Sequence, residues 1–169
     1  MDISIANRDS DIEALAALFV GGLSPDYISH QELQSYRTLG PGQWAPDIAD
    51  QFREEIRPRL GEPRDNFPAS GDWVGVVEAH DGRRLVGLAL VTISRQAAVP
   101  FGIIEDIVVD PNVRDKGYGA GMMNWIADRL RAAGAKRAFL ESGVGNEQAH
   151  HLFERLGFKQ VSMVMMREL

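Results

Sequence analysis

Apolar residues recur at helical spacing over Ile12, Leu15, Ala16, Phe19 and Leu23, which commits one face of a helix to a core. Ser10 stands three residues before Glu13 and predicts a capping box at the start of that helix. Ile3 and Ile5 predict a short strand ahead of it, and Pro25 ends or follows it. The pattern then weakens. Ile28, Leu33, Tyr36 and Leu39 predict a short helix stopping before Gly40-Pro41-Gly42. Asp47 predicts the cap of another helix, carrying Ile48, Phe52 and Ile56, with Pro58 near its end. From Gly61 to Gly71, glycine, proline and polar residues predict a loop, so 26–72 reads as a helical and irregular region.

Strand patterns dominate next. Trp73 to Ala79 and the longer Arg84 to Ser94 flank an Asp81-Gly82 turn, which predicts an antiparallel hairpin. His80 falls beside that turn. Ile103 to Val109 predicts the following strand. Gly117 to Arg131 predicts a helix with Met123, Ile126, Ala127 and Leu130 as its stripe and Gly134 as its stop. Arg137 to Leu140 predicts a strand, and 146–156 a helix with Ala149, Leu152, Phe153 and Leu156 inward. Phe158 to Met166 predicts a final strand. The strand–helix–strand–helix order gives an α/β domain with a mixed sheet layered between helices.

Composition narrows the class. At 169 residues and 44% apolar content, one compact domain with a real core is expected over 1–169. The absence of cysteine excludes disulfides, a thiolate nucleophile and thiolate metal sites. A formal charge of −6 disfavours a nucleic-acid surface and weakly favours a small cationic or amine-bearing partner. The N-terminus shows no basic segment followed by an apolar stretch, and no apolar run is long enough to span a bilayer. The expectation is a cytoplasmic protein that binds neither nucleic acid nor membrane.

The run from Ile104 to Ala120 carries the most chemistry. An apolar strand enters a turn that opens into a helix through Arg114-Asp115-Lys116-Gly117-Tyr118-Gly119. Gly117 and Gly119 permit close backbone approach, successive N–H groups can converge on phosphate oxygens, and Arg114 and Lys116 add charge. The alternative is that the glycines only relieve crowding and the cations are only solvated. There is neither a G-x-G-x-x-G fingerprint nor a Walker A loop.

In its order and spacing this stretch resembles the Gcn5-related N-acetyltransferase (GNAT) family. The family's R/Q-x-x-G-x-G/A motif corresponds to Arg114 through Gly119. Its later Asn-x-x-Ala, aromatic residue and Gly-Phe correspond to Asn146, Ala149, Phe153 and Gly157-Phe158. The resemblance covers 73–166 well and the first helix more loosely. It implies a predominantly antiparallel mixed sheet flanked by helices, with a central parallel strand pair that splays apart. It implies acetyl-CoA as acyl-donor cosubstrate and no metal. The pantetheine arm would lie along Ile107, Val108 and Val109. The amides of Arg114, Asp115, Lys116, Gly117, Tyr118, Gly119 and Ala120 would surround the pyrophosphate.

Transfer from a thioester to an amine needs a neutral amine and a polarised carbonyl, and a protonated departing thiolate assists it. Glu105 is the leading base, directly or through water, because the resembled enzymes often carry an acid there. Strand alternation would put it on the same side as Ile107 and Val109; a bulge would change that phase and keeps Asp106 as runner-up. Family members often have Tyr where this chain has Phe153. Phe153 would still pack beside the thioester, but Phe cannot donate a proton, so protonation of the leaving group falls to water, to another side chain such as Tyr118, or to no dedicated acid. Asn146 reads either as a contact to the pantetheine arm or as an N-cap. His150 and His151 are adjacent and supply no metal pattern. Glu141 and Ser142 either contact the acceptor or cap a turn. Tyr27, Tyr36, Trp44 and Trp73 either line an acceptor pocket or pack.

The reading is an acetyl-CoA-dependent N-acetyltransferase acting on a primary amine of a small metabolite, antibiotic or polyamine, with 26–72 on the substrate side. Backbone N–H groups around Ile107 to Val109 would polarise the carbonyl. The alternatives are a non-catalytic CoA-binding protein, an enzyme for a longer acyl-CoA, or one with a protein amine as acceptor. Dimerisation is common in the resembled family, so a homodimer is one assembly open to this chain.

Overall fold

In chain order the strands are β1 (Asp2–Ile5), β2 (Thr38–Gly40), β3 (Gln43–Trp44), β4 (Trp73–Asp81), β5 (Arg84–Ser94), β6 (Phe101–Val109) and β7 (Arg137–Leu140). The α-helices are α1 (Ile12–Gly22), α2 (His30–Leu33), α3 (Ile48–Ile56), α4 (Tyr118–Ala132) and α5 (Glu147–Arg155). A computed structural model describes all residues, 1–169. They group into two compact units: Met1–Leu23 with Pro46–Glu141, and Ser24–Ala45 with Ser142–Leu169.

The first unit is built around β5, whose Val86, Leu88, Ala89, Leu90, Val91 and Ile93 are all fully buried. A strand apolar on both faces has to be covered on both. The sheet runs β1-β4-β5-β6-β7; β6–β7 is parallel and every other pair is antiparallel. This is the expected mixed, mainly antiparallel α/β architecture. On one face, the last turn of α1 comes so close to β6 that a Cβ on Gly22 would collide with Val108. On the other face, Leu130 of α4 fills the space over Gly102 in the same way. Helix α3 supports α1 through Phe19 and Phe52, which stack with ring centroids 3.8 Å apart and planes 7° apart. Ile48, Phe52 and Ile56 form the buried face of α3, as their spacing predicts.

The start of α1 departs from expectation. Asp11, not Ser10, is its N-cap, and its Oδ1 accepts from the amides of Glu13 and Ala14 at 3.0 Å. Ser10 instead accepts from the Asn7 amide and donates to Glu78. Two candidate caps lie side by side here, and the tertiary partner on β4 decides between them.

In the second unit, the helix predicted over Ile28 to Leu39 shrinks to α2. Ser29 and Glu32 close a capping box there. A short hairpin, β2–β3, follows, turning at Gly42 with φ +75°. The final strand predicted over Phe158 to Met166 is absent. Val161, Met163 and Met165 stand 78, 76 and 88% exposed. Alternating apolar residues make a strand only when a neighbour takes their N–H and C=O groups, and this segment pairs with none.

Candidate active site

Strand β6 contains one residue too many for its partner. Ile104 lies opposite Val91 and Asp106 opposite the adjacent Leu90, which leaves Glu105 as the extra residue of a β-bulge. The bulge resets the alternation. Glu105 shares a face with Ile103 and Thr92, and Asp106, opposite Leu90, falls on that same face. Ile107 and Val109, opposite Ala89 and Gly87, point the other way. Glu105 is therefore not on the side of Ile107 and Val109, contrary to the unbroken alternation read from sequence.

Both carboxylate oxygens of Glu105 are held. Oε2 accepts from Arg59 Nη1 at 2.8 Å, and Oε1 accepts from the hydroxyl of Thr92. Arg59 also donates through Nη2 to Glu55 Oε1 at 3.1 Å. Glu55 is on α3, and Arg59 ends the 3-10 turn that follows. The side chains of Glu105 and Arg59 are 22 and 15% exposed, so the pair is sheltered but not sealed. A carboxylate has about four lone-pair sites, and these two bonds leave room for an incoming N–H. Asp106 is only 2% exposed, which places it in the interior rather than at a ligand surface. Arg59 and Thr92 are site residues that sequence reading missed. They lie 46 and 13 residues from Glu105, and no short motif joins them.

At the far end of β6, Asp110 organises the turn. Its Oδ1 accepts from the backbone N–H and the side-chain amide of Asn112, both at 2.9 Å, and Oδ2 pairs with Arg84. These bonds, the backbone N–H of Asn112 first, hold the Asp110 carboxyl below its usual value against an opposing effect of burial. Its contribution to stability is therefore complete above the ordinary carboxylate range of about pH 4 and disappears as pH falls through the lowered folded-state value. Asp110→Asn should lose less stability than the parent between neutral and acid pH, as read from urea midpoints at each pH. Parallel pH curves for the two proteins would refute this.

The chain then enters α4 through two left-handed residues, Asp115 at φ +65° and Gly117 at φ +80°. Gly117 is the N-cap residue, and no side chain caps the helix. The N–H groups of Tyr118, Gly119 and Ala120 thus have no intrahelical acceptor, and Arg114, Asp115 and Lys116 stand exposed beside them. Left-handed turns feeding an uncapped helix start form a concave array of N–H donors, which suits phosphate oxygens. The residues present therefore fit a pyrophosphate-bearing cosubstrate. Tyr118 donates its hydroxyl to Asp81 Oδ2 at 2.6 Å. That bond, with burial and the Asp81 charge, holds the phenol above the usual tyrosine range, with Arg84 opposing. A phenol so engaged is a poorer acid than the sequence reading allowed for.

Strands β6 and β7 pair from Phe101–Arg137 to Ile104–Leu140 and no further. β7 stops there while β6 continues to Val109, so β6 has no parallel partner beyond Ile104. Asn146 and Phe153 belong to the second unit. Asn146 is the N-cap residue of α5 but makes no side-chain cap bond, so capping does not account for it. Phe153 is buried and meets Phe158 edge-on at 6.2 Å. Tyr27 and Trp44 lie 6.0 Å apart in that unit, and the Trp44 indole donates to the Ser24 carbonyl. Trp73, in the first unit, packs on Phe67 at 4.7 Å, while Tyr36 is exposed. No group of three His, Asp or Glu is arranged to hold a metal, and no helix is long and apolar enough to cross a membrane.

A mixed sheet whose central strand runs on past its parallel partner into an uncapped helix start is the arrangement the resemblance implies. The sequence model of the Acetyltransferase (GNAT) family matches residues 41–158, and the chain belongs to that family. An aminoalkylphosphonate N-acetyltransferase from Salmonella typhimurium (strain LT2) is 32% identical over 112 residues, which are 64% of this chain and 66% of that protein. The chain thus matches slightly less than two thirds of that relative's length. A transcriptional regulator from Bacillus halodurans C-125 superposes with a TM-score of 0.67 at 16% identity, covering 99% of each chain. An aminoglycoside N-acetyltransferase in complex with CoA superposes with a TM-score of 0.63 at 16% identity, covering 99% of this chain and 93% of that one. At these identities the structural likenesses establish the fold.

Proposed function

We propose that this protein transfers an acetyl group from acetyl-CoA to the primary amine of a small molecule. The observation that carries this reading is the single strand β6, which holds Glu105 at its bulge and delivers the uncapped start of α4 through the turn at its end. The amides of Asp115 to Ala120, with Arg114 and Lys116, hold the pyrophosphate. The backbone of Ile107 to Val109 would run beside the pantetheine arm and orient the thioester carbonyl. Acetyl-CoA supplies an acetyl thioester there.

Glu105 takes the proton from the attacking amine, directly or through water, and the Arg59 guanidinium holds its carboxylate in place. Tyr118 is committed to Asp81, so water serves the departing thiolate. That the Salmonella relative is an aminoalkylphosphonate N-acetyltransferase supports a small amine acceptor over a protein one. The test is free-thiol release from acetyl-CoA against a panel of amines, amino acids, polyamines and aminoglycosides, with mass spectrometry of the products. One acetyl added to an acceptor is the expected outcome. Acetyl-CoA binding with no acetylated product across the panel would favour a non-catalytic CoA-binding role.

A further inference from the structure

Arg59 has a second side. It lines a cavity of ≈ 210 Å³ in the first unit, together with Ala6, Pro58, Glu62, Arg64 and Trp73. The charge in this wall is unbalanced. Glu62 is already neutralised by Arg8 at 2.7 Å. Arg64 is exposed and takes part in no ion pair or hydrogen bond. Arg59 spends one N–H on Glu105 and one on Glu55, and a guanidinium has about five. The cavity is thus lined by one unpaired arginine and by a second with spare donors, beside Trp73. Its size matters too: pockets for drug-sized ligands run from roughly 300 to 1,000 Å³, so this one suits a smaller molecule.

We infer that this cavity receives an oxyanion, carboxylate or phosphonate, carried by the amine acceptor itself, with Arg59 and Arg64 as its receptors. The inference rests on the transferase reading and narrows it to small amino acids and their phosphonate analogues. Arg59 provides the geometry. The guanidinium that would take the acceptor's anion on its spare N–H groups already touches Glu105 at 2.8 Å. Arg59 thus links the cavity wall to the carboxylate that accepts the proton, and an amine two or three bonds from the anion would be carried toward it. Neutral amines lack the anchor, and polyamines bring the wrong charge.

The experiment compares 2-aminoethylphosphonate, β-alanine and 2-aminoethanol as acceptors, and separately titrates 2-aminoethylphosphonate into the protein without acetyl-CoA. The acidic amines should exceed 2-aminoethanol in kcat/KM by about tenfold or more, the scale of one charge-assisted hydrogen bond. Arg64→Ala should cut that preference about tenfold through KM and weaken 2-aminoethylphosphonate binding to match. Arg64 is exposed and unpaired, so its removal leaves folding intact. Arg59→Lys, which keeps the charge but not the fork, should lose part of the preference. Equal use of 2-aminoethanol, or an Arg64→Ala enzyme with undiminished preference, overturns the inference while leaving the transferase reading standing. Arg64-dependent binding with no transfer to any amine supports the anion site and overturns the transferase reading. Neither binding nor transfer overturns both.

Discussion

Glu105→Gln should lower kcat by about 100-fold or more while leaving the affinity for acetyl-CoA unchanged. The substitution keeps the shape of the side chain and an oxygen able to accept from Thr92, but it removes the negative charge and the basic lone pairs. Arg59 then loses one of its two carboxylate partners and keeps Glu55, 3.1 Å from its Nη2. The guanidinium stays partly neutralised, and the fold should survive with a modestly lower thermal midpoint. The cosubstrate cradle proposed at Arg114 to Ala120 lies beyond the other end of β6, so donor binding should not respond. Steady-state thiol release and calorimetric titration of CoA separate the two effects. A variant within about threefold of the parent in kcat would remove Glu105 as the base.

Gly119→Asp should weaken CoA binding by roughly a hundredfold, the cost of a like charge set against a bound anion. Gly119 is the second residue of α4, where the backbone N–H groups have no protein acceptor. A carboxylate there meets the helix dipole favourably, and replacing glycine inside a helix stabilises it, so folding should be unharmed or improved. The same charge that suits the helix repels a pyrophosphate. Thermal melts and CoA titrations should therefore move in opposite directions. A loss of both would mark a packing defect, and unchanged CoA affinity would place the pyrophosphate elsewhere.

Much of this architecture is legible in the chain because the relevant physics is local. The apolar stripe of α4 is written at helical spacing in Met123, Ile126 and Leu130, and its stop in Gly134 at φ +91°. The β4–β5 hairpin is announced by Asp81-Gly82, with Gly82 at φ +61°. The turn into α4 is legible for the same reason: two left-handed residues, Asp115 and Gly117, leading into a helix need neighbouring residues of particular kinds. The resemblance to the acetyltransferase family, resting on Arg114 through Gly119, holds.

Other features depend on partners distant in sequence. Nothing between Phe101 and Val109 says that Glu105 is the extra residue of a bulge. That follows from where β5 places Val91 and Leu90 against β6, and it turns Glu105 away from the side that simple alternation assigns. The choice of Asp11 over Ser10 as the cap of α1 depends on Glu78 in β4. Arg59 in a 3-10 turn and Thr92 in β5 converge on one carboxylate only after α3, β5 and β6 have packed. The segment from Phe158 to Met166 has the alternation of a strand and no neighbour to pair with. By itself, then, the sequence determined the family, the α4 stripe and the β4–β5 hairpin, since each is set by residues a few positions apart. The tertiary structure alone decided which way Glu105 faces and which cation holds it, because a side chain's face in a sheet and its charge partner are properties of the neighbouring strand and helix.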